Sequence, residues 1–453
     1  MKKDLLENIP EANKDNIEMS LPNSPIIIHN GEYELKLGTK SIKVYGEIVF
    51  RWLPNLSVNF TGNLNEMDYH YLLLEFINPE SKNALIYING LKFGDGFITR
   101  LNSDGLKGTI SDHAIMGDSS ISVDKIKFSI PNLYEIHRGT LIKRTNLHTQ
   151  PDRLILEDDI YIITIDKCSN YKERMEALDE YSGYYIQYNG EITIKKGVMT
   201  HTNIKELFSC LNTFLTFLNG KKTSSLFIHG IFEEKIIWTD FTPYMVDLHI
   251  NVLSWANISE ITDFNTLWIE FRTLWQNEEN KDFLKSLIHW YVESNKQKYL
   301  RDGAIILGQT ALELVYNWWI VENKQMIIGD DAKDLSAANK IRLIISQLQI
   351  SSKVPKAFTK LQELMSKDAP EAIVGIRNSI VHSQAEKRSK LRSYDNIALY
   401  EALQVFIWYI ELSLLNILKY EGKYFDRCFD SVWEGKSIRF VPWKNTFIPK
   451  IQS

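Results

Sequence analysis

Cysteine is scarce in this chain: only Cys168, Cys210 and Cys428 occur among 453 residues. Three widely spaced thiols offer neither a disulfide framework nor a CxxC metal pair. They fit a reduced, cytoplasmic setting. Long apolar runs are missing too. None approaches the ~18–20 residues needed to cross a bilayer, so no membrane partner is expected. The opening stretch MKKDLLENIPEANKDNIEM has lysines but no apolar core. Residues 1–23 are therefore expected to form a flexible lead-in and not a signal peptide. An excess of positive charge is also lacking. The formal net charge is −5, which argues against a protein that coats nucleic acid non-specifically, because such binding needs many Lys and Arg contacts to phosphate. A local basic patch remains open.

The sequence also lacks the motifs that most often decide function. There is no GxxxxGK[ST] phosphate loop, no HExxH and no GxSxG. Gly117-Asp118-Ser119-Ser120 has no DxD pair to hold metal ions and reads as a turn. His70, His113, His137, His148 and His201 each stand alone, with no second His or Cys at ligand spacing. A zinc site is not expected, nor is any other metal or cofactor. No repeat of fixed period and no low-complexity tract is present.

What is present divides into two patterns. A hydrophobic fraction of 44% and a charged fraction of 24% suit a globular chain, and the length suggests several domains. From Ser24 to Trp238, segments such as SIKVYGEIVFRW, HYLLLEFI, ALIYINGLKFG, DRLILEDDIYIITIDK and GYYIQYNGEITIKK are rich in Ile, Val, Tyr and Phe, and several alternate apolar with polar residues. Asn189-Gly190 reads as a hairpin turn. SNYKERMEALDEYS and NIKELFSCLNTFLTFLNG read as helices, the second capped by Asn203 and stopped at Gly220. After Asp263 the apolar period becomes helical, through FNTLWIEFRTLWQN, DFLKSLIHWYVESNKQ, GAIILGQTALELVYNWWIVEN, SAANKIRLIISQL, PKAFTKLQELMSK, PEAIVGIRNSIVHS and NIALYEALQVFIWYIELSLLNILKY. The expected fold is α+β and multidomain. A β-rich region over 24–262, with antiparallel sandwich or barrel-like sheets, precedes an all-α bundle over 263–425 and an irregular tail over 426–453.

One helical segment carries a polar set. In PEAIVGIRNSIVHS, Asn378 and His382 lie four residues apart and would stack on one helix face. Arg377 could reach the same pocket from a helix end or bend. On spacing alone the bland reading stands beside the functional one: His382 favoured at a helix C-terminus by the dipole, Arg377 a surface charge, Asn378 an interhelical hydrogen bond. Lys387, Arg388, Lys390 and Arg392 follow, either as a solvated face or as a phosphate-binding lip. Glu313 reads as a helix-surface carboxylate that could pair with Arg377. Trp318, Trp319, Trp408, Trp433 and Trp443 read as core or tail anchors.

R-N-x-x-x-H on the penultimate long helix of an all-α bundle, preceded by the ALELVYNWW helix, resembles the HEPN superfamily. A β-rich front followed by such a domain is similar to the ApeA-like anti-phage proteins of bacteria. The resemblance implies a metal-independent endoribonuclease with Arg377, Asn378 and His382 as catalytic residues. In that chemistry the ribose 2′-hydroxyl attacks the adjacent phosphate, so DNA is not a substrate. Histidine can give or take the protons, and the Arg377 fork can meet the growing phosphoryl charge. The resemblance also implies a homodimer or higher homo-oligomer through the helical domain, RNA such as transfer RNA as substrate, and control by the β-rich front in response to a phage-encoded trigger. Two other readings stay open. One is a non-catalytic HEPN adaptor that binds nucleotides or a protein; the other is a carbohydrate- or protein-binding sandwich with a helical dimerisation module.

Overall fold

The computed structural model describes residues 9–38, 40–76, 83–136, 139–145, 148–257, 263–296, 301–382, 385–429 and 437–444. The chain forms two compact units. One comprises Met1–Tyr134, Gly139–Asn212 and Thr223–His249; the other comprises Glu135–Arg138, Thr213–Lys222 and Ile250–Ser453. The β-rich front and helical back are thus as expected, while the second unit also takes in the end of a front helix and the segment after His249.

The first unit holds two sheets. Strands β1 (Ile26–Leu37), β2 (Lys40–Arg51), β3 (Ser57–Asn63), β4 (Asn83–Ile88), β5 (Leu91–Asn102) and β6 (Gly105–Ile110) close into a barrel in the order β1-β2-β3-β6-β5-β4. Alternation explains its core: Leu35, Val44, Ile48, Phe50, Val58, Phe60, Ile86 and Ile98 are almost fully buried. HYLLLEFI, expected as a strand, lies instead, through Phe76, in helix α1 (Glu66–Phe76), whose start is capped by Asn65 Oδ1 accepting the Asp68 amide at 2.8 Å.

The second sheet has eight antiparallel strands. They are β7 (Ile115–Gly117), β8 (Lys125–Pro131), β9 (Thr140–Thr145), β10 (His148–Glu157), β11 (Tyr161–Lys167), β12 (Ile186–Ile194), β13 (Leu226–Phe232) and β14 (Lys235–Asp240), in the order β7-β14-β13-β8-β12-β11-β10-β9. Helices α2 (Tyr171–Tyr181) and α3 (His201–Asn219) interrupt them. Asn189-Gly190 makes no hairpin; it sits inside β12, where Asn189 pairs with Asp166 and Ser129 on the flanking strands. Two contacts explain this. Asn189 accepts from Ser129 Oγ at 2.9 Å and donates to Asp15 at 2.6 Å, and the Phe128 ring lies where a Gly190 Cβ would be. Thr200, not Asn203, caps α3, its Oγ1 accepting the Asn203 amide at 3.3 Å. Gly220 ends that helix as expected, at φ 68°.

The described part of the lead-in is held along the sheet. Ala12 and Lys143 exchange backbone bonds with the opposing segment, the Asn13 amide donates to Asp166 at 2.7 Å, Arg174 grips Asp15 at 2.6 Å, and Tyr185 donates to the Met19 carbonyl at 3.2 Å. Residues 9–23 are therefore a docked strap, held by more bonds than a flexible or loosely docked lead-in would have; residues 1–8 lie outside the described residues.

The second unit is helical: α4 (Phe264–Trp275), α5 (Glu278–Asn295), α6 (Arg301–Val315), α7 (Asp331–Asp334), α8 (Ala337–Gln347), α9 (Thr359–Gln362), α10 (Ala369–Val381), α11 (Ala385–Ser393) and α12 (Asn396–Ile417). Helix α6 runs on to Asn323 with π-helical spacing, and Trp318 in that extension stacks on Phe283 at 3.9 Å. PKAFTKLQELMSK yields only the short α9, because Met365 turns to φ 51°. Arg301–Asn323 and Asn396–Ile417 are long and apolar enough to span a bilayer, yet both are mostly buried within the protein, as core helices are.

The C-terminal segment is not an irregular appendage in its described part. β15 (Lys423–Phe425) pairs with β16 (Ile438–Phe440), and Trp443 donates its indole N–H to the Tyr420 carbonyl at 2.8 Å. Arg427 enters the bundle interior. Its Nε and Nη2 grip Glu411 at 2.9 and 2.6 Å, Nη1 reaches Gln404 and Asn295, and Nη2 also donates to the Leu253 carbonyl. Tyr291 and the Trp255 amide complete the Glu411 shell.

Candidate functional site

The motif helix is α10, and its start is built firmly. Asp368 caps it by accepting the Glu371 amide at 3.0 Å, and Pro370 occupies the first turn. The same carboxylate takes a two-bond fork from Arg342 on α8, at 2.7 and 2.8 Å. Burial works to raise the Asp368 carboxyl, but the Arg342 fork and the Glu371 amide outweigh it and hold the carboxyl below its usual range. Ala372, Ile373, Val374, Ile376 and Ser379 face the core, where α10 packs against α6, α8 and α12.

Arg377 and Asn378 lie half-buried in the last turn, with Arg377 Nη1 donating to Asn378 Oδ1 at 3.2 Å. The helix ends at Val381. His382 is its C-cap, at φ −87° and ψ 96°, and donates its backbone N–H to the Asn378 carbonyl at 3.1 Å. The expected stacking of Asn378 under His382 on one helical face is therefore altered. The link between them runs through the backbone, and the Asn378 side chain is engaged by Arg377. The His382 side chain is exposed.

Arg377 Nε is buried and has no hydrogen-bond partner, and Arg377 forms no ion pair among the described residues. Glu313 is half-exposed and does not pair with it. Ser379 Oγ, on the same turn, stands 3.4 Å from Tyr394 OH, between α11 and α12. Of the basic run, Arg392 is exposed on α11; Lys387, Arg388 and Lys390 fall on that helix, but their side chains lie outside the described residues.

The other sequence candidates resolve into structural roles. Asp118 Oδ1 accepts the Ser120 amide at 3.0 Å, an Asx turn. His201 stacks edge-on against Trp238, and His113 meets Lys205 at 2.9 Å. His70 is exposed, while His137 and the His148 side chain lie outside the described residues. Trp408 donates to Tyr424 OH, so it and Trp443 are anchors, Trp319 is buried, and Trp433 lies outside the described residues. All three cysteines are buried thiols outside any disulfide. A cleft of about 390 Å³ runs along the strap in the first unit, lined by Lys14, Lys127, Arg153, Thr164 and Glu191. Arg153 there is already forked onto Asp166.

Two stretches of the chain match known domain families. Residues 118–252 match the YopA central domain and residues 277–438 the YopA C-terminal domain. Over 436 residues the chain is 25% identical to the SPbeta prophage-derived uncharacterized protein YopA of Bacillus subtilis (strain 168), covering 93% of this chain and 96% of that protein. No solved structure matches.

Proposed function

We propose that the helical unit is a HEPN-type endoribonuclease that cuts RNA without a metal ion, and that the β-rich unit restrains it until phage infection. The observation that carries this reading is the state of the R-N-x-x-x-H residues. An arginine with no carboxylate partner among the described residues, fixed by a neighbouring asparagine, lies five residues before an exposed histidine on a firmly anchored helix.

In the proposed reaction the 2′-oxygen forms a bond to phosphorus and loses its proton to a base, while the bond from phosphorus to the 5′-oxygen breaks and that oxygen gains a proton. The products are a 2′,3′-cyclic phosphate and a 5′-hydroxyl. His382 handles a proton, and Arg377 stabilises charge on the non-bridging oxygens. Asn378 holds the Arg377 guanidinium in place. Each chain supplies one His382 for two proton transfers, so two chains are proposed to share one cleft. The prophage origin of the relative supports the defence context, since a resident phage genome persists when a competing phage is stopped. Transfer RNA is the proposed substrate, because few cuts there halt translation.

Cells test this directly. Induced or phage-triggered protein should arrest growth and leave RNA fragments with 5′-hydroxyl ends, and His382→Ala should do neither. Equal arrest by both proteins would refute the catalytic reading.

A further inference from the structure

Two side chains that no motif marks stand at the same end of the helical unit as Arg377. Arg301, the first residue of α6, donates from Nη1 to the Asn396 carbonyl at 2.6 Å, which sets the start of α6 beside the start of α12. Its guanidinium carbon lies 5.6 Å from the centroid of the Tyr400 ring. The Ser379–Tyr394 contact brings the last turn of α10 to that end as well. The start of α6, the start of α12 and the end of α10 therefore form one face of the bundle.

That face has the chemistry of a nucleic-acid surface. Tyr400 is 42% exposed although it sits on a helix that is otherwise nearly all core, and Ile397 on the same helix and Val381 at the end of α10 are exposed too. Arg301, Arg377 and Arg392 have no carboxylate partner among the described residues. Arg301 Nε is buried and unpartnered. Asp302, Glu386 and Asp395 lie on neighbouring turns, and Asp395 is occupied in capping α12 through the Ile397 amide. Arg301 and Arg377 thus stand at this end without a carboxylate partner among the described residues, in a chain whose net charge is −5.

We infer that Tyr400, backed by Arg301, is a stacking platform for an unpaired RNA base next to the phosphate held by Arg377. The exposed ring offers a flat surface that any base can use, and the guanidinium near it adds positive charge. Arg301 is a positioning residue, since its bond to Asn396 fixes the platform. A stacked base would splay the strand and favour cutting at single-stranded loops over duplex. This inference rests on the ribonuclease reading of the same end.

The test uses full-length His382→Ala protein, so that RNA is bound and not cut, and a fluorescent single-stranded RNA oligomer. Adding Tyr400→Ala should weaken binding about tenfold, in line with loss of one stacked base. Adding Tyr400→Phe should leave it unchanged, because the ring is kept. RNA carrying 4-thiouridine should crosslink to the peptide containing Tyr400. Unchanged affinity in Tyr400→Ala, or a crosslink confined to other peptides, overturns the platform while leaving the ribonuclease reading intact. Weaker binding accompanied by a change of oligomeric state in gel filtration overturns it in favour of a copy-to-copy interface. Absence of RNA binding by the His382→Ala parent, together with absence of cleavage by the intact protein, overturns both.

Discussion

Arg427 and Arg377 occupy the same helical unit and have opposite surroundings. Arg427 is almost fully buried, and its Nε and both Nη atoms donate to Glu411, Gln404, Asn295 and the Leu253 carbonyl. Among the described residues, Arg377 makes one side-chain bond, to the adjacent Asn378, and its buried Nε has no partner. An arginine whose donors are all satisfied is part of the framework. One with most of its donors uncommitted among the described residues, near the end of a well-anchored helix, can still take an anion. Within one bundle, a fully satisfied arginine thus stands beside one with donors to spare, and substitutions at each should have different consequences.

The largest effect expected is on cleavage. Arg377→Ala and His382→Ala should each lower the rate by about 10²–10⁴, while leaving the denaturant midpoint of the helical unit nearly unchanged. Arg377→Lys should not rescue the rate, because the planar fork is lost. A large fall in stability in either alanine variant would place Arg377 with Arg427 and remove the contrast.

Arg427→Ala should do the reverse. It strands Glu411, whose carboxylate is fully buried, and should cost about 3–5 kcal/mol of unfolding free energy. The double variant Glu411→Leu with Arg427→Met should recover most of that, since a buried pair replaced by apolar groups is often neutral. Urea titrations followed by circular dichroism would measure both; a double variant as unstable as Arg427→Ala would contradict this assignment.

A smaller effect belongs to the other unit. His229 on β13 is buried, with Nδ1 2.8 Å from Thr239 Oγ1. Burial, helped by nearby Lys127, pushes its imidazole down to about 4. The folded state thus favours neutral imidazole. The contribution is complete above the unfolded value of ~6.5 and is lost as pH falls from there toward 4, by about 3 kcal/mol in all. Thermal melts of the intact protein between pH 7 and 4.5 should show this slope, and His229→Gln should flatten it. An equal slope in both would remove His229 as its source.

The smallest effect concerns the basic run on α11. Reversing Lys387, Arg388, Lys390 and Arg392 should weaken RNA binding and reduce the salt slope by about 0.7 for each phosphate that is no longer neutralised. An unchanged slope would leave these residues as a solvated helix face.

Much of the fold was legible because period and composition carry it. Strand composition marked β2, β4 and β5 of the barrel but not β1, β3 or β6, and the i, i+3, i+4 pattern marked α4, α5, α6, α8, α10 and α12. The failures have physical causes. HYLLLEFI is a short apolar run without a distinguishing period, and its capping Asn65 lies outside the run. Asn189-Gly190 carries a turn signature, but partners distant in sequence, Asp15, Ser129 and Phe128, hold it extended. The strap and the Arg427 latch depend on polar bonds over |i−j| of 153 and 174, which no local pattern encodes. At the site, Arg377, Asn378 and His382 were visible as a motif. The helix stop at Val381 and the convergence of Arg301 and Tyr400 on the same end required the packing of three helices.

The central claim is that this chain cuts RNA with its own side chains. The most direct measurement incubates purified intact protein and His382→Ala with total RNA in excess chelator, with and without extract from phage-infected cells, and maps the fragment ends. Cleavage is predicted for the intact protein alone, with 5′-hydroxyl ends and no recovery by His382→Ala under either condition. Intact RNA in every arm, or identical fragments from both proteins, would contradict it.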